Sequence, residues 1–124
     1  MSMVIKKLEP DFSICKVKDF SMVDFESEYC FTAKTDEEYS LVCVTETVPD
    51  NVTERDDEWK AFRIQGTLDF SLIGILSKIS CLMAENNIGI FAISTFNTDY
   101  ILIKSKNFSK AIELLSKTGY RVVE

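Results

Sequence analysis

The chain has 124 residues, 46% hydrophobic and 27% charged, with 20 acidic against 14 basic side chains and a net charge of -6. That is the composition of one folded domain or of two very small ones, and it argues against disorder. An acidic chain with scattered lysines suits no phosphate backbone, and no apolar run nears the ~20 residues that cross a bilayer, so neither nucleic acid nor a membrane is an expected partner.

The first half gives weak signals. Strands are expected near Phe12 to Val17, Tyr29 to Ala33 and Ser40 to Thr45. Residues 19–28 could hold a short helix of poor periodicity, and Thr35 with Glu38 fits a capping box for a single helical turn. Residues 46–58, ETVPDNVTERDDE, carry a proline and an acid-rich run and read as a solvated linker.

The second half is clearer. In KAFRIQ, residues 60–65, Phe62 and Ile64 alternate with Arg63 and Gln65, which predicts a half-buried strand ended by Gly66. Asp69 or Ser71 can cap the helix that follows. Leu72, Ile75, Leu76, Ile79, Leu82 and Met83 make its apolar stripe, and Asn86, Asn87 and Gly89 stop it. A strand over Ile90 to Ser94, a turn at Asn97 and a strand from Asp99 or Tyr100 to Lys104 come next. A second helix follows from Asn107, with Phe108, Ala111, Ile112 and Leu115 inward, Gly119 as its cap and a last strand to Val123. The order is that of an α+β, ferredoxin-like βαββαβ unit, with both helices on one face of an antiparallel sheet. The first half suggests an abbreviated second unit, giving domains 1–58 and 59–124 that pack together.

The chemistry-bearing residues exclude much. Histidine is absent, which removes the commonest zinc ligand and general base. Cys15, Cys30, Cys43 and Cys81 form no CxxC pair and sit in apolar contexts, as buried reduced thiols of an intracellular core would. No P-loop, GxGxxG, GxSxG or HExxH occurs. Glu54, Asp56, Asp57 and Glu58 lack EF-hand spacing. No metal, no cofactor and no enzymatic activity are expected, and the N-terminus MSMVIKKLEP shows no secretory signal, so a cytoplasmic location is expected.

Three local patterns carry a family resemblance: LDFSLIGIL at 68–76, NNIGIFAISTF at 86–96 and TDYILIK at 98–104. Together they resemble the ACT domain, and more closely the small tandem-ACT proteins and the ACT units of CASTOR-type arginine sensors. TDEEYSLV at 35–42 resembles the first half of these tandem proteins. The likeness covers 59–124 well and 1–58 loosely. It implies a non-catalytic, allosteric regulatory role, a homodimer or other homo-oligomer, a protein partner for output, and a free amino acid bound between two ACT units.

The ligand site that this implies lies along Asp69, Phe70, Ser71, Leu72, Ile73 and Gly74, with Ile88, Ser94, Thr95, Phe96 and Asp99. The physics agrees. A helix start offers unpaired N–H groups to an α-carboxylate. Asp69 and Asp99 could take an ammonium or guanidinium group, which favours a basic amino acid. In the arginine-sensor pattern a Thr-Phe pair followed three residues later by Asp lines the ligand, here Thr95, Phe96 and Asp99. The plainer readings stay open: Asp69 as a helix cap, Gly74 as a packing position, Asp99 as a turn residue, Phe96 as core. The alternative function is an interaction protein that keeps the fold without the ligand.

Overall fold

The computed structural model describes residues 3–65 and 74–124. Its elements are β1 (Val4–Val17), β2 (Cys30–Lys34), β3 (Tyr39–Val44), a 3-10 turn (Thr45–Thr47), β4 (Val52–Ile64), α1 (Ile75–Glu85), β5 (Phe91–Ser94), β6 (Asp99–Lys104), α2 (Ser105–Lys117) and β7 (Arg121–Val123). The chain divides into two compact units. Unit 1 comprises Met1–Glu9 with Lys60–Glu124, and unit 2 is Pro10–Trp59. The first nine residues therefore group with the second half of the chain, and unit 2 is an insertion within unit 1.

Unit 1 contains the last part of β4 followed by α1, β5, β6, α2 and β7, in the order that the hydrophobic periodicities predict. Its sheet is not purely antiparallel. β1 lies next to β4 and next to β7, and it pairs with β7 in parallel, Val4 opposite Arg121 and Lys6 opposite Val123. The N-terminal strand thus fills the place beside β4 that the expected four-stranded sheet gave to β7. VIKKLE hides this role because it does not alternate, yet Ile5 and Leu8 are both buried. The core joins Ile5, Phe62, Ile64, Ile101 and Ile103 of the sheet with Ile79 and Met83 of α1 and Ala111 and Leu115 of α2. The helical stripes face this core.

Unit 2 has the order β2-β3-β1-β4, with β1–β3 and β2–β3 antiparallel. Contacts of Ser13 with Asp57 and of Lys16 with Thr53 show β4 running antiparallel to β1 as well. The positions of both helices are taken by irregular chain. The helix expected at 19–28 is a series of turns, because Asp19 accepts bonds from the amide and hydroxyl of Ser21 and Asp24 accepts the amide of Glu26. Such local bonds compete with helix formation. Likewise Thr35 accepts the amides of Glu37 and Glu38, as a capping box would, but the chain turns straight into β3.

The acidic segment 46–58 is a correction too. Only its start is irregular, and β4 begins at Val52. Its acids lie on the exposed first part of that strand: Thr53 to Asp56 and Glu58 are exposed, while Asp57 is half-buried. Glu58 adopts φ +69°, a left-handed residue inside a strand and the mark of a bulge.

Candidate functional site

Four of the residues singled out in the second half, Ser94, Thr95, Phe96 and Asp99, lie on the β5–β6 hairpin. The two strands pair Ser94 with Asp99, Ile93 with Tyr100, Ala92 with Ile101 and Phe91 with Leu102. Four residues close the turn, and threonines hold it. Thr95 donates to the carbonyl of Thr98 through both its amide and its hydroxyl, each at 2.9 Å. The amide of Thr98 donates back to the Thr95 hydroxyl. The Thr98 hydroxyl, itself buried, donates to the carbonyl of Ile64 at 2.7 Å, which ties the hairpin tip to the end of β4.

At the closing pair, the Ser94 hydroxyl donates to the Asp99 carboxylate at 2.6 Å. Asp99 shares a sheet face with Ile101 and Ile103, which enter the core under α1 and α2. The carboxylate therefore stands on the helix side of the sheet. On the other face the Arg63 guanidinium lies over the Tyr100 ring, 5.9 Å from its centroid, and donates to its hydroxyl and to Gln65. Phe96, at the tip, is 88% exposed, so it is not the core residue that its aromaticity allows.

Gly74 is the N-cap of α1 in a left-handed conformation, φ +87°. The helix therefore starts one residue after this glycine instead of enclosing it. A Cβ placed on Gly74 would meet nothing within 4 Å, so the glycine is required by its backbone angle and not by close packing. Its cap supplies no side-chain acceptor to the first turn of α1, and that turn carries no acidic residue. Asp69, Phe70, Ser71, Leu72 and Ile73 lie outside the described residues.

α1 runs about 16 Å from Gly74, and β5 follows it after the stop at Asn86 and Asn87. Ile88 sits at the opposite end. Its amide closes α1 on the carbonyl of Met83, and its side chain is buried in the core. Ser94, Thr95, Phe96 and Asp99 thus lie together on the β5–β6 hairpin, Gly74 stands at the start of α1, and Ile88 at its end.

An open groove of about 430 Å³ elsewhere in unit 1 is lined by Lys7, Leu8, Glu9, Lys60, Phe108 and Glu124. Three of its four charges are engaged: Lys7 pairs with Glu124 at 2.6 Å, and Lys60 donates to the Glu9 carbonyl. Among the described residues no three potential ligands are placed to hold a metal ion, and no helix is long and apolar enough to cross a membrane.

Sequence reasoning missed the convergence of thiols in unit 2. Cys15, Cys30 and Cys43 share one apolar cluster, whereas Cys81 is exposed on α1. Only strand register brings the three together. The thiol of Cys15 hydrogen-bonds to the sulfur of Cys43, which lowers Cys43 to about 7 and pushes Cys15 far up.

Among curated proteins, none matches the chain. Solved structures do. A protein from Agobacterium tumefaciens is 27% identical, with 99% of this chain and 93% of that one covered and a TM-score of 0.84. The alpha and beta subunits of an aspartokinase are 17% identical at TM-score 0.64, over 94% of this chain and 97% of that one. Aspartate kinase from Clostridium acetobutylicum, described as an allosteric enzyme, is 14% identical at TM-score 0.64. There 93% of this chain corresponds to 33% of the enzyme. The model of the ACT domain matches residues 54–117, just over half of the sequence and most of unit 1, and the chain belongs to the ACT domain family.

Proposed function

We propose that this protein is a non-catalytic sensor that binds a free amino acid or a close analogue where the β5–β6 tip meets the start of α1. An ACT domain fits a regulatory, ligand-binding role. The observation that carries the finer reading is the Ser94–Asp99 pair. It holds a carboxylate on the helix side of the sheet, and α1 begins with a left-handed glycine that has no side-chain cap; we set these two features at one site. The helix start supplies N–H donors for an α-carboxylate, and Asp99 supplies charge for an ammonium or guanidinium group. A basic amino acid suits this arrangement best. The tandem-ACT reading of units 1 and 2, a homodimer with the ligand at a contact between ACT units, and a cytoplasmic location belong to the same proposal.

A second reading, an interaction protein without a ligand, is favoured by the 88% exposure of Phe96. A thermal-shift screen against the twenty amino acids separates the two, since a ligand specific for the folded state raises its apparent stability. Calorimetry then compares wild type with Asp99→Ala. A loss of about 1.5–3 kcal/mol is expected, the scale of a charged hydrogen bond. Equal binding would make Asp99 a turn residue and move the site. No binding at millimolar concentration would favour the interaction reading.

A further inference from the structure

Three of the four cysteines, distant in sequence, meet on one face of unit 2. The β2–β3 register sets Cys30 directly opposite Cys43. The β1–β3 register sets Ser13 opposite Cys43 and Cys15 opposite Leu41, so Cys15 is the diagonal neighbour of Cys43. Directly opposed residues in an antiparallel pair have Cα atoms about 4.5–5.5 Å apart. That lies inside the roughly 4.4–6.8 Å that a disulfide spans. Diagonal neighbours stand about 7–8 Å apart, beyond it. Register therefore makes Cys30 and Cys43 the pair able to bond and leaves Cys15 as the hydrogen-bonding neighbour.

We propose that Cys30 and Cys43 are a reversible dithiol site, which forms an intrachain disulfide by exchange with a low-molecular-weight disulfide such as oxidised glutathione. Cys30 is half-buried and is the point of entry; Cys43 is 2% exposed and resolves. In the first step the Cys30 thiolate attacks one sulfur of the small disulfide. That S–S bond breaks, and one small thiolate leaves and takes up the proton that Cys30 released. In the second step the Cys43 thiolate attacks the Cys30 sulfur. The mixed disulfide breaks, and the second small thiolate leaves with the proton from Cys43. Two cysteine thiols are oxidised, and one small disulfide is reduced to two thiols.

The surroundings divide the labour. Burial raises the Cys30 thiol, so entry is the slow step and quickens with pH. The bond from Cys15 holds Cys43 near 7, so it is substantially thiolate at neutral pH and ready to resolve. The product links β2, at the end of the unit 2 strand order, covalently to β3.

The test uses the full chain with exposed Cys81 replaced by serine, leaving three thiols. After equilibration with oxidised glutathione, non-reducing peptide mapping should find Cys30 joined to Cys43 and Cys15 free, with reversal by dithiothreitol. Cys43→Ser in that background should instead retain glutathione on Cys30. Because serine at a buried position threatens folding, Cys30→Ser serves as the second arm and should leave Cys15 and Cys43 both free. Three free thiols after oxidation, a Cys15–Cys43 bond, or glutathione stably held on Cys30 of the parent protein would each overturn the proposal.

Discussion

Thr98→Val tests whether the hairpin that presents the site is held in place by one buried bond. Valine keeps the shape and branching of threonine and replaces the hydroxyl with a methyl group. That hydroxyl is the donor to the Ile64 carbonyl, and Ile64 is fully buried, so water does not replace it. A typical internal hydrogen bond contributes about 1 kcal/mol net, whereas a buried acceptor left unpaired costs about 1–3 kcal/mol. The second figure applies, because only one partner is removed. At about 4 °C per kcal/mol for a protein of this size, the melting temperature should fall by roughly 4–12 °C. Thr98→Ser is the control. It keeps the hydroxyl and loses a methyl group worth about 0.8 kcal/mol. Urea denaturation followed by circular dichroism measures both variants. If Thr98→Val is no less stable than Thr98→Ser, the bond to Ile64 does not secure the hairpin and the reasoning fails.

Ser13→Ala removes a fully buried hydroxyl that donates to Asp57 and bonds to Thr45; a loss of about 2 kcal/mol, the scale for a bond to a charged group, is expected in urea denaturation. Glu58→Gly should leave stability unchanged within about 0.5 kcal/mol or raise it, since the left-handed conformation penalises a side chain by about 1–2 kcal/mol. Glu58→Val should lower it, and the opposite order in thermal melts would argue against a bulge there. The folded-state pKa of Cys43, about 7, lies below its ordinary value of 9.0. Over that window the unfolded thiol keeps a proton that the folded one has released, so stability should rise from pH 7 to 9 and this contribution should vanish below 7. Thiolate absorbance of the folded Cys81→Ser protein should show one group titrating near pH 7, and a first thiol titration only above pH 9 would contradict the assignment.

Periodicity read the second half well, because its helices bury one stripe each and its strands are short apolar runs bounded by turn residues. The hairpin was legible for a different reason: Thr95 to Asp99 combine turn residues with a strand start, and the structure adds only which groups bond. Three things were not legible. Residues 4–9 lack alternation, because this strand has neighbours on both sides and buries residues toward both faces, Ile5 and Leu8 among them. Residues 46–58 read as solvated because charge on the exposed first part of β4 resembles charge on a linker. The thiol cluster depends on register, and a shift of one residue would have turned Cys43 to the other face.

The insertion of residues 10–59 has a consequence for biosynthesis. As the chain emerges from the ribosome, the strand that unit 1 needs from residues 4–9 is made first, yet its neighbours β4 and β7 arrive much later. Unit 2 is contiguous and can complete once Trp59 is out. Its antiparallel β1–β4 pairing then shortens the gap between the two parts of unit 1, and Lys60 reaches the Glu9 carbonyl without a long free loop to close. Closing such a loop carries an entropic cost that grows with its length, and the inserted unit removes it in advance. Nascent chains arrested after Lys60 has cleared the ribosomal exit tunnel should therefore contain a protease-resistant unit 2, while protection of residues 4–6 should await the release of β7.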